Sequence, residues 1–158
     1  MVQKIYIETS VISYLVARPS KNLVIAAHQL STMELWNRLD AYEVFVSKVV
    51  IDEVSKGNAF QAKHRLEMLR EFQVLAIDHE IVEIARRLIS EKVIPSKCPG
   101  DALHIAVAAA NGMDVIVTWN FKHINNPSIR KKVRWLLEGN DWKCLEICSQ
   151  EEFLGDEV

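Results

Sequence analysis

The clearest chemical content of this 158-residue chain lies in Glu8, Glu53, Asp101 and Asn120, with the hydroxyls of Thr9, Ser10 and Thr118 beside them. These are hard oxygen donors on separate segments, the kind of set that holds Mg²⁺ or Mn²⁺. If they converge, electrostatics favours a cation among them. Two carboxylates ~5 Å apart repel by roughly 3 kcal/mol at an effective dielectric of 20. A whole domain has only about 5–15 kcal/mol of net stability. A protein that gathers three acids must therefore protonate one, keep them apart or bind an ion. Such an ion activates water and stabilises in-line attack on phosphorus. Other chemistries lack their motifs. Neither GxxxxGKS/T nor GxGxxG is present to cradle a phosphate, and no GxSxG elbow offers a serine nucleophile.

The elements that must position these residues alternate between short strands and helices. Strands are expected over Lys4–Ile7, Glu43–Ser47, Phe72–Ile77, Val115–Thr118 and Cys144–Cys148, from their short apolar, β-branched runs. Helices are expected over Ser10–Ala17, from an Asn22 cap to Leu39, over Lys48–Ser55 and Ala59–Arg70, and from an Asp78 cap to Ser90. Asp101 is expected to cap an almost wholly apolar helix, Ala102–Ala110, and a last helix is expected over Ser128–Leu137. Strands separated by helices imply a parallel sheet covered on both faces. In such sheets functional groups gather beyond the carboxyl ends of the strands. That rule places Glu8 and Asn120 at the functional edge and leaves Asp114, which precedes its strand, as a turn residue at the opposite edge.

Four segments in this order, KIYIETSVISYL, VSKVVIDEVSKG, GDALHIAVAAANGMDVIVTWNFKHI and EICSQEEF, resemble a PIN-domain protein of the VapC-toxin-like type. The similarity spans nearly the whole chain, and its most specific piece is DALHIAVAAANGMDVIVTWN. The resemblance implies a Rossmann-like α/β fold with a central, mostly parallel sheet flanked by helices, one PIN-like domain over residues 1–158. It also implies a divalent-metal-dependent endoribonuclease that hydrolyses RNA phosphodiesters by metal-activated water. Position by position, the family's first acid falls on Glu8, the second on Glu53, the third on Asp101 and the fourth on Asn120, so these four are the expected catalytic and metal-binding set, with Mg²⁺ or Mn²⁺ as cofactor. RNA is the implied substrate, a separate antitoxin protein the implied partner, and a homodimer the implied assembly. The first acid is normally Asp, and Glu8 carries its carboxylate about 1.5 Å further out, one C–C bond. The fourth position is often Asp, and Asn120 offers a carbonyl oxygen without charge. These two departures keep open a second reading, a catalytically weak or inactive PIN module that binds RNA or a protein.

Each residue also has a plainer reading. Asp at a helix start is ordinarily an N-cap. Glu53 competes with Asp52, because neighbouring helical residues point about 100° apart, and the motif alignment favours Glu53. His104, one turn beyond Asp101, reads as a supporting or packing histidine. Trp119 and Phe121 are aromatics of the kind that stack on bases but are more often buried. Arg130, Lys131, Lys132 and Arg134 form a basic helix segment, either a solvated face or a guide for a phosphate backbone.

Composition bounds the rest. Net charge is 19 − 21 = −2, so no global basic field advertises nucleic-acid binding. The balance is uneven: without Glu151, Glu152, Asp156 and Glu157, which lie in a stretch lacking Lys and Arg, the count is 19 − 17 = +2. Apolar residues at 49% and charged residues at 25% describe an ordinary globular protein. Cys98, Cys144 and Cys148 lack zinc-knuckle spacing and read as reduced thiols, the latter two buried about the last strand. The N-terminus, Met1–Ile7, passes directly into a strand pattern and does not read as a secretory signal. The apolar region around Ile105–Thr118 is broken by Asn111, Gly112 and Asp114 and is not a membrane span. A cytoplasmic location is expected.

Overall fold

The computed structural model describes residues 2–155. In chain order its elements are β1 (Lys4–Ile7), α1 (Thr9–Val16), α2 (Leu23–Trp36), a 3₁₀ turn (Leu39–Ala41), β2 (Glu43–Ser47), α3 (Lys48–Val54), α4 (Ala59–Met68) and β3 (Gln73–Leu75). There follow α5 (His79–Ser90), α6 (Pro99–Ala110), β4 (Val115–Val117), α7 (Pro127–Gly139), β5 (Glu146–Cys148) and α8 (Gln150–Leu154). The strands form one sheet of order β3-β2-β1-β4-β5, and every pairing is parallel. The chain winds outward from β1 through β2 to β3, then crosses back to lay β4 and β5 on the other side. The order therefore reverses beside β1, and the crevice between the carboxyl ends of β1 and β4 is a topological switch point.

Burial explains why these segments became central strands. Ile5, Tyr6 and Ile7 of β1 and Val115, Ile116 and Val117 of β4 are all buried, as a strand covered on both faces requires. Helix α5 packs along α6, whereas α1 packs on α2, α3 and α4, and α2 on α8. Small residues let α6 sit deep: Ala102, Ala106 and Ala108 have no exposed surface.

Side-chain caps begin most helices. Asn22, Ser47, Asn58, Asp78 and Asn126 each accept from backbone N–H groups one or two residues inside their helix. The start of α6 differs from the sequence expectation. Asp101 does not cap it; the helix begins at Pro99, with Cys98 in the cap position and proline in the first turn, where its missing N–H costs nothing. Asp101 lies within that first turn, so its carboxylate goes to tertiary partners instead.

Other boundaries shift. β3 and β5 are shorter than their apolar runs, and α2 stops at Trp36, short of Leu39. Cys144 precedes β5 and is exposed, not buried, whereas Cys148 is half-buried, with burial pushing its thiol up to about 12 against Arg130. The acidic end contains a helix, α8, closed by a capping box between Ser149 and Glu152. Asp156 and Glu157 lie outside the described residues. Asp114 does more than turn the chain, since its two oxygens accept from the Lys4 N–H (2.8 Å) and Lys143 Nζ (2.5 Å). Among the described residues no helix is long and apolar enough to cross a membrane.

Candidate metal centre

Parallel register brings the first two motifs together. Ile7 pairs with Val117, so Glu8 and Thr118 emerge side by side beyond the strand ends, and the Glu8 N–H donates to the Val117 carbonyl (3.2 Å). Glu8 is only 4% exposed and sits at the N-cap of α1. Its Oε1 accepts from the Ser10 N–H (3.1 Å), Ser10 Oγ (2.5 Å) and Thr118 Oγ1 (2.6 Å), while Oε2 faces His104 Nε2 at 4.0 Å. The longer side chain is thus folded back onto its own helix.

Glu53 comes from the last turn of α3 and is turned inward. Its Oε1 accepts from Thr9 Oγ1 (2.9 Å) and His104 Nε2 (2.5 Å). Its Oε2 lies against the start of α6, 3.8 Å from where a Cβ on Gly100 would stand. Asp52 points to the surface and pairs with Lys48 at 2.5 Å. Of the two neighbours, Glu53 is therefore the one in the centre.

His104 ties the acids together. The ring is completely buried, with Nε2 on Glu53 and Nδ1 2.7 Å from the Tyr6 hydroxyl. The Tyr6 hydroxyl in turn bonds Ser47 Oγ (2.8 Å), which joins α6 to β1 and β2. Burial alone would lower the His104 pKa. The hydrogen bond to Glu53 and the charges of Glu8, Glu53 and Asp101 overcome it and raise the pKa. Burial likewise works to raise the Glu53 pKa, but His104, Thr9 and Lys56 outweigh it and hold that carboxyl low. When protonated, His104 donates through both nitrogens, to Glu53 and to the Tyr6 hydroxyl, and serves as an internal counter-ion.

Asp101 faces the other side of the crevice. Asn120 Nδ2 donates to its Oδ1 (3.1 Å), and His123 Nδ1 lies 3.2 Å from Oδ2. Burial, with the charges of Glu8 and Glu53, raises the Asp101 pKa against the opposing His104 and His123. Asn120 accepts the His123 N–H through Oδ1 (3.1 Å), which settles its amide orientation and leaves Nδ2 to hold Asp101.

Glu8 and Glu53 thus meet at His104, while Asp101, one turn earlier on α6, is held by Asn120 and faces His123. Hard carboxylate oxygens in this number fit Mg²⁺ or Mn²⁺ by donor chemistry. Among the described residues, however, the donor atoms that close to within 4.8 Å as a set of three belong to Cys98, Asp101 and His123. Sequence reasoning passed over Cys98 and His123. A usable signal was present, since each lies three residues from a predicted site residue, Asp101 and Asn120 respectively.

The sequence matches the PIN-domain family over residues 5–126, most of the chain and all of this centre. The chain belongs to the PIN-domain family. In fold, this PIN domain is similar to a chain of the VapBC2 complex from Rickettsia felis, a complex whose crystal structure holds a DNA fragment from its promoter. Identity is 16%, the TM-score is 0.58, and the match covers 93% of this chain and 98% of that one. A second solved structure is tyrosyl-tRNA synthetase with L-tyrosine from Archaeoglobus fulgidus, at 12% identity and a TM-score of 0.45, covering 93% of this chain and 55% of that one. Comparison with curated proteins finds no sequence match.

The aromatic and basic residues divide. Trp119 is buried, stacked on His28 at 4.1 Å and donating to Thr32 Oγ1 (2.9 Å), so it anchors the loop. Phe121 is 46% exposed beside it. Arg130 is drawn to Asn125 and Glu152, and Arg134 to Glu146. Lys131 and Lys132 line a surface groove with the exposed Trp135.

Proposed function

We propose that this PIN domain is a divalent-metal-dependent endoribonuclease, acting as a single domain in the cytoplasm. The observation that carries this reading is the meeting of Glu8 and Glu53 on buried His104 at the switch point, with Asp101 one turn earlier on the same helix and held by Asn120. Those three carboxylates would hold Mg²⁺ or Mn²⁺, with Asn120 steadying Asp101. When bound, the ion supplies a water of lowered pKa and neutralises charge at phosphorus.

The chain's own residues do the positioning. Ser10 and Thr118 fix Glu8, while Thr9 and His104 fix Glu53. Phe121, one residue after Asn120, presents a ring on which a base can stack. RNA is the substrate this reading assigns. A separate antitoxin-like protein fits the likeness to a VapBC chain. Exposed Leu23, Val24, Leu30 and Met33 on α2 supply apolar surface for that protein or for a homodimer.

The test is Asp101→Asn. Because Asp101 does not cap α6, the helix start survives, and Asn can still accept from Asn120. Cleavage of RNA in Mg²⁺ or Mn²⁺ should fall at least about 100-fold while melting stays near wild type. Wild-type cleavage by this variant would remove Asp101 from the centre. A competing reading, a binding module without catalysis, draws on His104, which already balances part of the acid charge. RNA binding without cleavage in either ion would favour it.

A further inference from the structure

Asp101 has a second set of neighbours that the acidic centre does not use. Cys98 holds the cap position of α6, Asp101 its first turn, and His123 the loop between β4 and α7. Asp101 Oδ2 and His123 Nδ1 are 3.2 Å apart. Cys98 Sγ is 3.6 Å from Nδ1 and 3.8 Å from Nε2 of the same ring. All three ligand atoms lie within 4.8 Å of one another.

The Sγ···Nδ1 and Nδ1···Oδ2 separations have the length of zinc-tetrahedron edges, and binding turns the His123 ring to aim Nδ1 at the ion, since Sγ now stands nearly as close to Nε2. With Zn–S about 2.3 Å, Zn–N about 2.0 Å and Zn–O about 2.0 Å, tetrahedral angles give S···N edges of about 3.5 Å and N···O edges of about 3.3 Å. The donor types agree. A thiolate with an imidazole selects zinc-class ions and is foreign to Mg²⁺. Supporting contacts are already in place: Asn120 accepts the His123 backbone N–H, which fixes the loop, and its amide donates to the other oxygen of Asp101.

We propose that Cys98 Sγ, Asp101 Oδ2 and His123 Nδ1 form a second cation site, for Zn²⁺ or an ion of its class. Three protein ligands leave a fourth position open to solvent or an anion. Zinc takes Cys98 as the thiolate, and the displaced proton goes to solvent. One consequence rests on the nuclease reading above. Zinc commits Asp101 to sulfur and imidazole partners and withdraws it from the acidic centre, so zinc inhibits cleavage supported by Mg²⁺.

The experiment uses the whole chain, stripped with a chelator and titrated with Co²⁺ as a spectroscopic stand-in for Zn²⁺. Wild type should develop a thiolate-to-cobalt charge-transfer band that Zn²⁺ abolishes and excess Mg²⁺ does not. Cys98→Ser should lack the band, a Cys144→Ser/Cys148→Ser chain should keep it, and His123→Ala should weaken binding at least about 100-fold. Melting of each variant checks its fold. A readout free of variants is alkylation of Cys98 in wild type, followed by mass spectrometry, which Zn²⁺ should suppress. No band in wild type, a band that survives Cys98→Ser, or alkylation unaffected by Zn²⁺ would overturn the site. In a cleavage assay with Mg²⁺, zinc should inhibit wild type and spare Cys98→Ser. If wild type cleaves nothing, the nuclease reading fails while the spectra still decide the zinc site.

Discussion

Glu8 shows how a longer acid is accommodated where the family ordinarily has Asp. Its Oε1 takes a backbone N–H and two hydroxyls, so the extra methylene is used to fold the carboxylate back onto α1 and Thr118. Glu8→Asp should withdraw it from these donors, and hydrogen bonds to a charged group carry about 1.5–3 kcal/mol each. We expect a lower melting temperature and single-turnover cleavage reduced at least about tenfold in both Mg²⁺ and Mn²⁺. Glu8→Gln keeps the reach and removes the charge, and it should lose cleavage as well. A faster Glu8→Asp would mean that the longer side chain impairs the site, and unchanged activity in Glu8→Gln would place Glu8 outside it. At this scale the sequence was legible where a residue follows a strand, since strand ends converge whatever the packing. Glu8 and Asn120 were found that way, and the family motif chose Glu53 over Asp52. The contacts of His104, Cys98 and His123 depend on how α6 sits against β1 and the loop after β4, which no local spacing encodes.

Helix α6 carries Asp101 into the crevice, and its alanines set how closely it approaches the sheet. Ala108 is fully buried, and enlarging such a residue forces strain of typically about 1–3 kcal/mol. Ala108→Leu should therefore lower the melting temperature by several degrees, at about 2–4 °C per kcal/mol for a chain of this size. Gly100→Ala is the informative contrast. An added Cβ would meet only Glu53 Oε2, at an ordinary 3.8 Å, and alanine is favoured over glycine in a helix by about 1 kcal/mol. Thermal melting should show Gly100→Ala unchanged or more stable. A loss as large as that of Ala108→Leu would mean that the start of α6 is packed more tightly than this contact implies. Element types were readable from periodicity and boundaries were not, for identifiable reasons. The β3 and β5 runs extend past the residues their neighbours can pair. Pro99 starts α6 because a first-turn proline gives up no hydrogen bond. The α8 box, Ser149 to Glu152, was visible in the sequence, but that stretch was read for its charge and its family likeness and not for a helix start.

Across the whole molecule, net charge says little, because the decisive charges are buried at one edge of the sheet. They make stability depend on pH in a direction that can be worked out. The folded His104 pKa lies above its ordinary 6.5, so its contribution is complete below that value and is lost as pH rises through the raised one. The folded Glu53 pKa lies below its ordinary 4.5, so its contribution is present above that value and is lost as pH falls through the lowered one. Asp101 acts oppositely, because a raised pKa makes its ionisation destabilising above 3.8. The chelated protein should therefore be most stable in mildly acidic solution and melt at progressively lower temperature as pH rises above 6.5 and through the raised His104 value, where the imidazolium is lost. Added Mg²⁺ or Mn²⁺ should restore what the imidazolium supplied. At 100 times Kd an ion adds about 2.7 kcal/mol, and its effect on melting should grow with pH, because the ion then balances the acids alone. His104→Gln separates the two sources of charge: its chelated form should lose the alkaline decline while its response to the ion persists. A decline that survives His104→Gln would assign the pH dependence to another group. An absence of any ion-induced shift, in wild type and variant alike across this range, would remove the metal centre itself.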